Sequence, residues 1–247
     1  VLKNRWVLVG LALILGGVLF IDYIAQLLYP SMELGTVSVP DTLSGTHTYN
    51  FYKDTVLVGT HTYSVTKVTG AQGTVFAMSS GTNITFEGKS LTLEGLYRFN
   101  SGFRPVSYGL NVTEGEEVTY FVCDFKPGSI TTTVMFQGET ADVETEVKEG
   151  TMLIENSMPG YWEVLLQSTS LERGRRYTFD IFIPQAARVF HMTLVVEKDL
   201  QQVWVEDGTL ECVVVKATEL GLAFNVHQGE LVQYRDDEQG VVINKVS

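Results

Sequence analysis

From Thr46 onward, short stretches rich in Thr, Val, Tyr and Phe are separated by turn residues about every 8–14 positions, the spacing of a β protein. The pattern predicts strands at Thr46–Tyr52, Thr55–Val68, Thr74–Glu87, Leu91–Phe99, Pro105–Thr113, Glu117–Phe125, Ser129–Gln137 and Thr140–Val147. In Thr140–Val147 alternation leaves a clear polar face, whereas in Val118–Cys123 the period is blurred. Glu87-Gly88-Lys89, Asn100-Ser101-Gly102, Glu114-Gly115-Glu116 and Pro127-Gly128 supply turns, so consecutive strands are expected to pair antiparallel as meanders. One helix interrupts them. Pro159–Gln167 places apolar residues at 161, 162, 165 and 166, one helical face. So short a helix is held by packing and not by propensity, and the concave face of a curved sheet would supply that packing. Strands resume at Arg175–Ile183, Val189–Glu197, Gln202–Glu206, Leu210–Thr218, Leu222–Val226, Glu230–Tyr234 and Val241–Val246. The fold class is mainly β: an N-terminal transmembrane helix, then an antiparallel curved sheet or incomplete β-barrel with one short helix. Residues 46–247 read as one domain, and a split near residue 150 into two sub-sheets is the alternative.

Residues 1–30 follow a different pattern. Lys3 and Arg5 precede an apolar run from Trp6 to Phe20, and a second run, Tyr23 to Leu28, ends before Pro30. As a helix, Trp6–Leu28 would be about 34 Å long, enough for a hydrocarbon core of about 30 Å. Trp6 and Tyr29 stand at its ends as an aromatic belt. Asp22 and Gln26 share a helical face, and reach either the headgroups or a partner helix. A cleavable secretory signal is the rival, but bulky Ile21-Asp22-Tyr23-Ile24 follow the apolar run where a small-x-small site would stand. The segment therefore reads as an uncleaved, single-pass signal anchor. Lys3 and Arg5 put its N-terminus in the cytoplasm and the C-terminal domain outside, periplasmic or extracellular. Residues 31–45 read as a tether.

Composition sharpens this division. The 247 residues are 45% hydrophobic, ample for a packed core, which excludes a disordered chain. The net charge of −12 argues against nucleic acid as a partner. Lys3, Arg5 and Asp22 leave residues 1–30 at +1, so the remainder carries −13. Such charge keeps the domain soluble and off anionic headgroups.

The stretch Gly45-Thr46-His47-Thr48-Tyr49 recurs as Gly59-Thr60-His61-Thr62-Tyr63, the two copies forming the arms of a hairpin. Thr46–Val65 resembles the opening hairpin of an uncharacterised family of secreted bacterial and archaeal half-barrel domains, similar in shape to lipoprotein carriers of the LolA and LolB type. Glu155-Asn156, Pro159–Leu166, Leu171-Glu172-Arg173-Gly174, Leu210–Val213 and Gly229–Val232 fit the same pattern. Two places depart from it: Lys53-Asp54 at the first turn, where glycine is more usual, and Asn225-Val226-His227 near the end. The resemblance implies a shape, a concave apolar face and an address outside the cytoplasm. It carries no catalytic residues.

Catalytic signals are sparse. His47, His61, His191 and His227 form no HExxH or HxH, and no CxxC, GxSxG or phosphate loop occurs. His47 and His61 meet only if the first hairpin has a three-residue loop; a two-residue loop sends them to opposite faces. Cys123 and Cys212 lie in predicted strands, and read either as a disulfide or as buried free thiols. Asp236-Asp237-Glu238 lies in a turn, where solvated charge is the plain reading and calcium the minor one. Asn83-Ile84-Thr85 and Asn111-Val112-Thr113 match the glycosylation sequon. Tyr161, Trp162, Phe179, Phe182, Phe190 and Trp204 gather around the helix and the strands after it, as core or as an apolar cleft. No cofactor or metal is expected. The leading functional expectation is a non-catalytic accessory or interaction subunit of a membrane protein complex. The alternative is a binding module for a lipid or other hydrophobic ligand in the concave face. An extracytoplasmic enzyme would need His, Asp and Glu converging in a cleft.

Overall fold

Alternation of inward and outward side chains decides the architecture. In Lys89–Asn100 the residues Leu93, Gly95, Tyr97 and Phe99 are buried while Glu94, Leu96 and Arg98 are exposed, the mark of a sheet with one covered face. The computed structural model describes residues 31–40, 43–70, 73–155, 158–205 and 208–246. Its strands are β1 (Ser31–Glu33), β2 (Gly45–Lys53), β3 (Val56–Gly70), β4 (Gly73–Phe86), β5 (Lys89–Asn100), β6 (Pro105–Glu114), β7 (Glu117–Lys126), β8 (Ser129–Phe136), β9 (Glu139–Glu146) and β10 (Met152–Leu153). After the helix α1 (Pro159–Gln167) come β11 (Arg176–Ile183), β12 (Arg188–Val196), β13 (Gln201–Val205), β14 (Gly208–Ala217), β15 (Leu222–His227), β16 (Glu230–Asp236) and β17 (Val241–Lys245).

Among the described residues these strands make one 17-stranded sheet. β2 to β9 form an antiparallel meander. β14 to β17 form another. The two join where the end of the chain meets its beginning, β17 on β2, with Lys245 opposite Tyr49 and Val241 opposite Lys53. Around residue 150 the chain passes from β9 at one end of the strand order to β10 at the other, so the two halves of the sheet are joined through β17 on β2. β12 and β13 share one edge of β14, and β11 pairs with β12.

β1 and β10, both missed by periodicity, lie parallel along the outer edge of β11. Strands of two or three residues carry no readable period; their hydrogen bonds come from β11, which would otherwise be a bare edge. The stretch expected as a tether is packed instead. Ser31 stands opposite Arg176, the Leu34 N–H donates to the Thr178 carbonyl at 2.9 Å, and the Ser38 N–H donates to Ser168 at 2.8 Å. Val39 and Leu43 are buried in the core. The expected anchor, with Asp22 and Gln26, lies outside the described residues. Among those described, no helix is long and apolar enough to cross a membrane.

The core fills the concave side. α1 has the bounds its sequence predicts and is buried from Pro159 to Leu166. Pro159 at its first turn needs no N–H partner. At its other end, the Ser168 and Thr169 hydroxyls donate to the Val164 and Leu165 carbonyls. Tyr161 stacks on Tyr97 with ring centroids 5.3 Å apart, and Trp162 packs on Phe224 at 4.8 Å.

Candidate functional site

The near-repeat in β2 and β3 builds one side of a polar site. At the hairpin tip Lys53 faces Val56, around the two residues Asp54 and Thr55. An unbroken two-residue hairpin would send His47 and His61 to opposite faces. A bulge between Phe51 and Tyr52 shifts the register by one, so His47 faces Tyr63 and Tyr49 faces His61. All four side chains then share one face, with His47 stacked on Tyr63 at 4.8 Å. The histidines do not pair, which corrects both loop-based expectations.

Glu163 of α1 meets this face. Its Oε2 accepts from the Tyr49 hydroxyl at 2.6 Å and from the Tyr63 hydroxyl. Oε1 accepts from Lys245 Nζ at 2.9 Å and from Gln167 Nε2 at 3.0 Å. His47 Nδ1 lies 3.8 Å from Oε2. The carboxylate is fully buried, yet two donors serve each oxygen, so burial leaves no lone pair wanting. Burial works to lower the Lys245 pKa, but Glu163 and Glu230 outweigh it and the ammonium is held above its usual range. Burial first, and then the Glu163 charge, pushes the Tyr49 and Tyr63 hydroxyls well above theirs. Both therefore remain donors.

α1 reaches this position because Gly160 has no side chain. A Cβ there would stand 2.6 Å from Cδ1 of Tyr63, inside contact distance. His61, also fully buried, bonds Thr82 Oγ1 through Nδ1 at 2.8 Å and accepts from the Gly160 N–H at 3.4 Å. Burial pushes its pKa down to about 3, so it is neutral. Beside the start of α1, a second buried acid, Glu155, accepts from the Tyr108 hydroxyl at 3.3 Å and from Gln185.

Chemically, this is a latch. A substrate could reach Glu163 only by displacing a side chain that already bonds it: Tyr49 or Tyr63 at Oε2, Lys245 or Gln167 at Oε1. Among the described residues no three His, Cys, Asp or Glu side chains could hold a metal ion. Sequence reasoning read Glu163 as part of the helix and missed the site; the available signal was the doubled Thr-His-Thr-Tyr, which sends matching His and Tyr residues inward.

The other expected residues divide. Tyr161, Trp162, Phe179 and Phe182 are buried together, with Phe190 half-buried beside them under the Arg188 guanidinium. Phe179 also lines a pocket of about 550 Å³ with Met152, Thr178 and Asp180. Trp204 does not join them: it is 77% exposed, because its neighbours Val203 and Val205 face a separate small cluster with Cys212 and Val232. Of the two readings of the cysteines, the structure has free thiols, with Cys123 and Cys212 in these two different clusters. Burial raises the pKa of both, that of Cys123 to about 11. Asn83 and Asn111 stand on the outer face of β4 and β6, beside a polar groove of about 680 Å³.

No family model matches the sequence, and no curated protein matches it. The chain is similar to solved structures that include the following two. A DUF1089 family protein from Pseudomonas aeruginosa is 11% identical, with a TM-score of 0.41 over 71% of this chain and 89% of its own. A beta-barrel-like protein of the domain of unknown function DUF1849 from Brucella abortus is also 11% identical, with a TM-score of 0.50 over 81% of this chain and 93% of its own. The chain thus shares the β-barrel-like fold of a domain of unknown function.

Proposed function

We propose that the protein is a single-pass, membrane-anchored extracytoplasmic domain that serves as a non-catalytic interaction subunit of a membrane complex. One observation carries this reading: the concave face is occupied by α1, while the outer face bares an apolar row. Leu96, Gly109 and Val122 are register neighbours on β5, β6 and β7, with Tyr120 two residues from Val122. Leu96, Tyr120 and Val122 are all exposed. Exposed apolar side chains grouped on one sheet face, at the rim of a polar groove, suit contact with a partner. The apolar run of residues 6–28, with Lys3 and Arg5 before it, supports the anchor and its orientation. A ligand in the concave face, the alternative expectation, would have to displace α1.

The test is purification of the tagged full chain from its native membranes in mild detergent. A defined set of membrane subunits should co-purify, and L96D/V122D should lose it. A monomer with no companion in every mild detergent overturns the reading.

A further inference from the structure

The two ends of the strand order are finished differently. At one end β1 and β10 lie along β11 and take up its outer hydrogen bonds. At the other end β9 pairs with β8 alone among the described residues. Phe136 closes this hairpin opposite Glu139, around Gln137 and Gly138, whose φ values of 51° and 81° suit a type I′ turn. The closing pair exchanges hydrogen bonds, and the exchange recurs at every second pair, Val134 with Ala141 and Thr132 with Val143. Thr140, Asp142 and Glu144 therefore turn their N–H and C=O groups away from β8. Glu139 to Glu144 are all exposed. Near its end β9 meets the connection between β11 and β12, where the Thr145 hydroxyl donates to the Ala187 carbonyl at 2.8 Å.

Such an edge is a template for a further strand, and its side chains select which strand. Asp142 stands opposite Thr133 on the outer face and accepts from its hydroxyl at 2.7 Å. Thr140 and Glu144 share that face, whereas Ala141 and Val143 lie on the other. From Ser129 to Glu146 the chain has four acids, Glu139, Asp142, Glu144 and Glu146, and no base. The bases that border the edge are engaged elsewhere. Lys126 is 3.5 Å from Asp124, Lys148 is 3.6 Å from Asp180, and the Arg188 guanidinium lies over the Phe190 ring. A second copy of the chain is a poor occupant, because β9 laid antiparallel on β9 sets acids against acids.

We propose that β9 is completed by an extended segment of a partner protein, paired antiparallel, with Lys or Arg at every second position. The cations face Asp142 and Glu144 on the outer side, and β-branched residues between them face Ala141 and Val143. The proposal names a contact of the interaction subunit described above and rests on that reading. Asp142 continues the row of Leu96, Gly109 and Val122 through Thr133, so the added strand extends the same outer surface.

The test titrates the full chain, in neutral detergent, into a fluorescein-labelled peptide of alternating lysine and valine, about six residues long. At about 0.15 M salt, charges beyond about 8 Å are largely screened. Anisotropy should report binding of this peptide and none of a glutamate–valine peptide. In the antiparallel ladder the residues opposite Asp142 and Glu144 exchange hydrogen bonds with them. N-methylation of the lysines should therefore weaken binding about tenfold or more, the loss of two hydrogen bonds, and N-methylation of the valines should not. Thr140→Pro removes one outward N–H, keeps the four acids and leaves the β8 ladder whole, so it should weaken binding likewise. D142K/E144K should lose the lysine peptide and gain the glutamate one. The N-methylated peptides read the edge on the parent chain, independently of how either variant folds. No binding, or binding indifferent to lysine N-methylation, overturns the strand contact and leaves the acids as a guard against self-pairing. In native membranes, companions lost in L96D/V122D yet kept in Thr140→Pro and D142K/E144K overturn this contact alone; a chain without companions overturns the subunit reading and this contact with it.

Discussion

The hydroxyl of Tyr49 donates to Glu163 Oε2 at 2.6 Å, joining the first long strand to a helix 114 residues further on. Lys245, in the last strand β17, binds the other oxygen of the same carboxylate. One buried side chain therefore ties the beginning, middle and end of the sheet to the helix that fills it. Removing it leaves the Tyr63 hydroxyl without its acceptor, and leaves Tyr49 and Lys245 only their weaker bonds to the Leu231 carbonyl and to Glu230. Glu163→Ala should cost about 3–5 kcal/mol, as for other broken buried ion pairs. Glu163→Gln, which keeps an acceptor for the tyrosines, should cost less. Urea unfolding of both variants checks the order; equal costs would show that volume, not charge, matters at this position.

The same pair makes a prediction for alkaline solution. The folded pKa of Lys245 is raised above its unfolded value, so its contribution is fully present below about 10.5 and is lost as pH rises through the folded pKa. Lys245→Met should be less stable than the parent at neutral pH and should converge with it as the pH rises further. Parallel stability curves up to that range would mean that the ion pair adds nothing.

His61 acts at the other end of the scale. Its folded pKa of about 3 lies below the unfolded value of 6.5, so the unfolded chain takes up the proton first. Stability should therefore fall as pH drops below 6.5 and keep falling until about 3, by roughly 4–5 kcal/mol at most. His61→Gln should be weaker at neutral pH, where it loses a buried ring, but should show a shallower acid slope. The measurement is the urea midpoint of both proteins between neutral pH and pH 4. Identical slopes would remove His61 as the cause.

The antiparallel strands and α1 were legible because each has its own signal: alternation, turn glycines, and Pro159 before an apolar face. What escaped depends on groups distant in sequence. β1 and β10 exist only against β11. The bulge at Phe51/Tyr52 is one residue of register, invisible to composition, yet it decides whether His47, Tyr49, His61 and Tyr63 share a face. Glu163 looked like a polar position on a short helix; only the closure of β17 on β2 brings Lys245 to it. Trp204 was misplaced because six aromatics close in sequence do not reveal which strand face each occupies.

Gly160 offers a test in which two principles oppose each other. Alanine favours helix over glycine by about 1 kcal/mol. Here, however, the new methyl would meet the Tyr63 ring at 2.6 Å and push that hydroxyl off Glu163. Gly160→Ala should therefore destabilise, by about 1–3 kcal/mol. Pairing it with Tyr63→Ala should recover part of the loss if the ring is the obstacle, and a stabilised single variant would show that α1 can shift without cost.

The hairpin tip should respond in the opposite direction. Asp54 and Thr55 both have positive φ, at 48° and 71°, the backbone of a turn that favours Asn-Gly. Thr55 is β-branched, and its Cβ crowds the following carbonyl in this region, at a cost of about 1–2 kcal/mol. Thr55→Gly relieves that crowding but gives back some unfolded-chain entropy, so a net gain of about 0.5–1 kcal/mol is expected. The residue is exposed, so no packing is lost. A rise in Tm for Thr55→Gly, and none for Thr55→Ala, would assign the effect to φ; a rise in both would assign it to the threonine side chain.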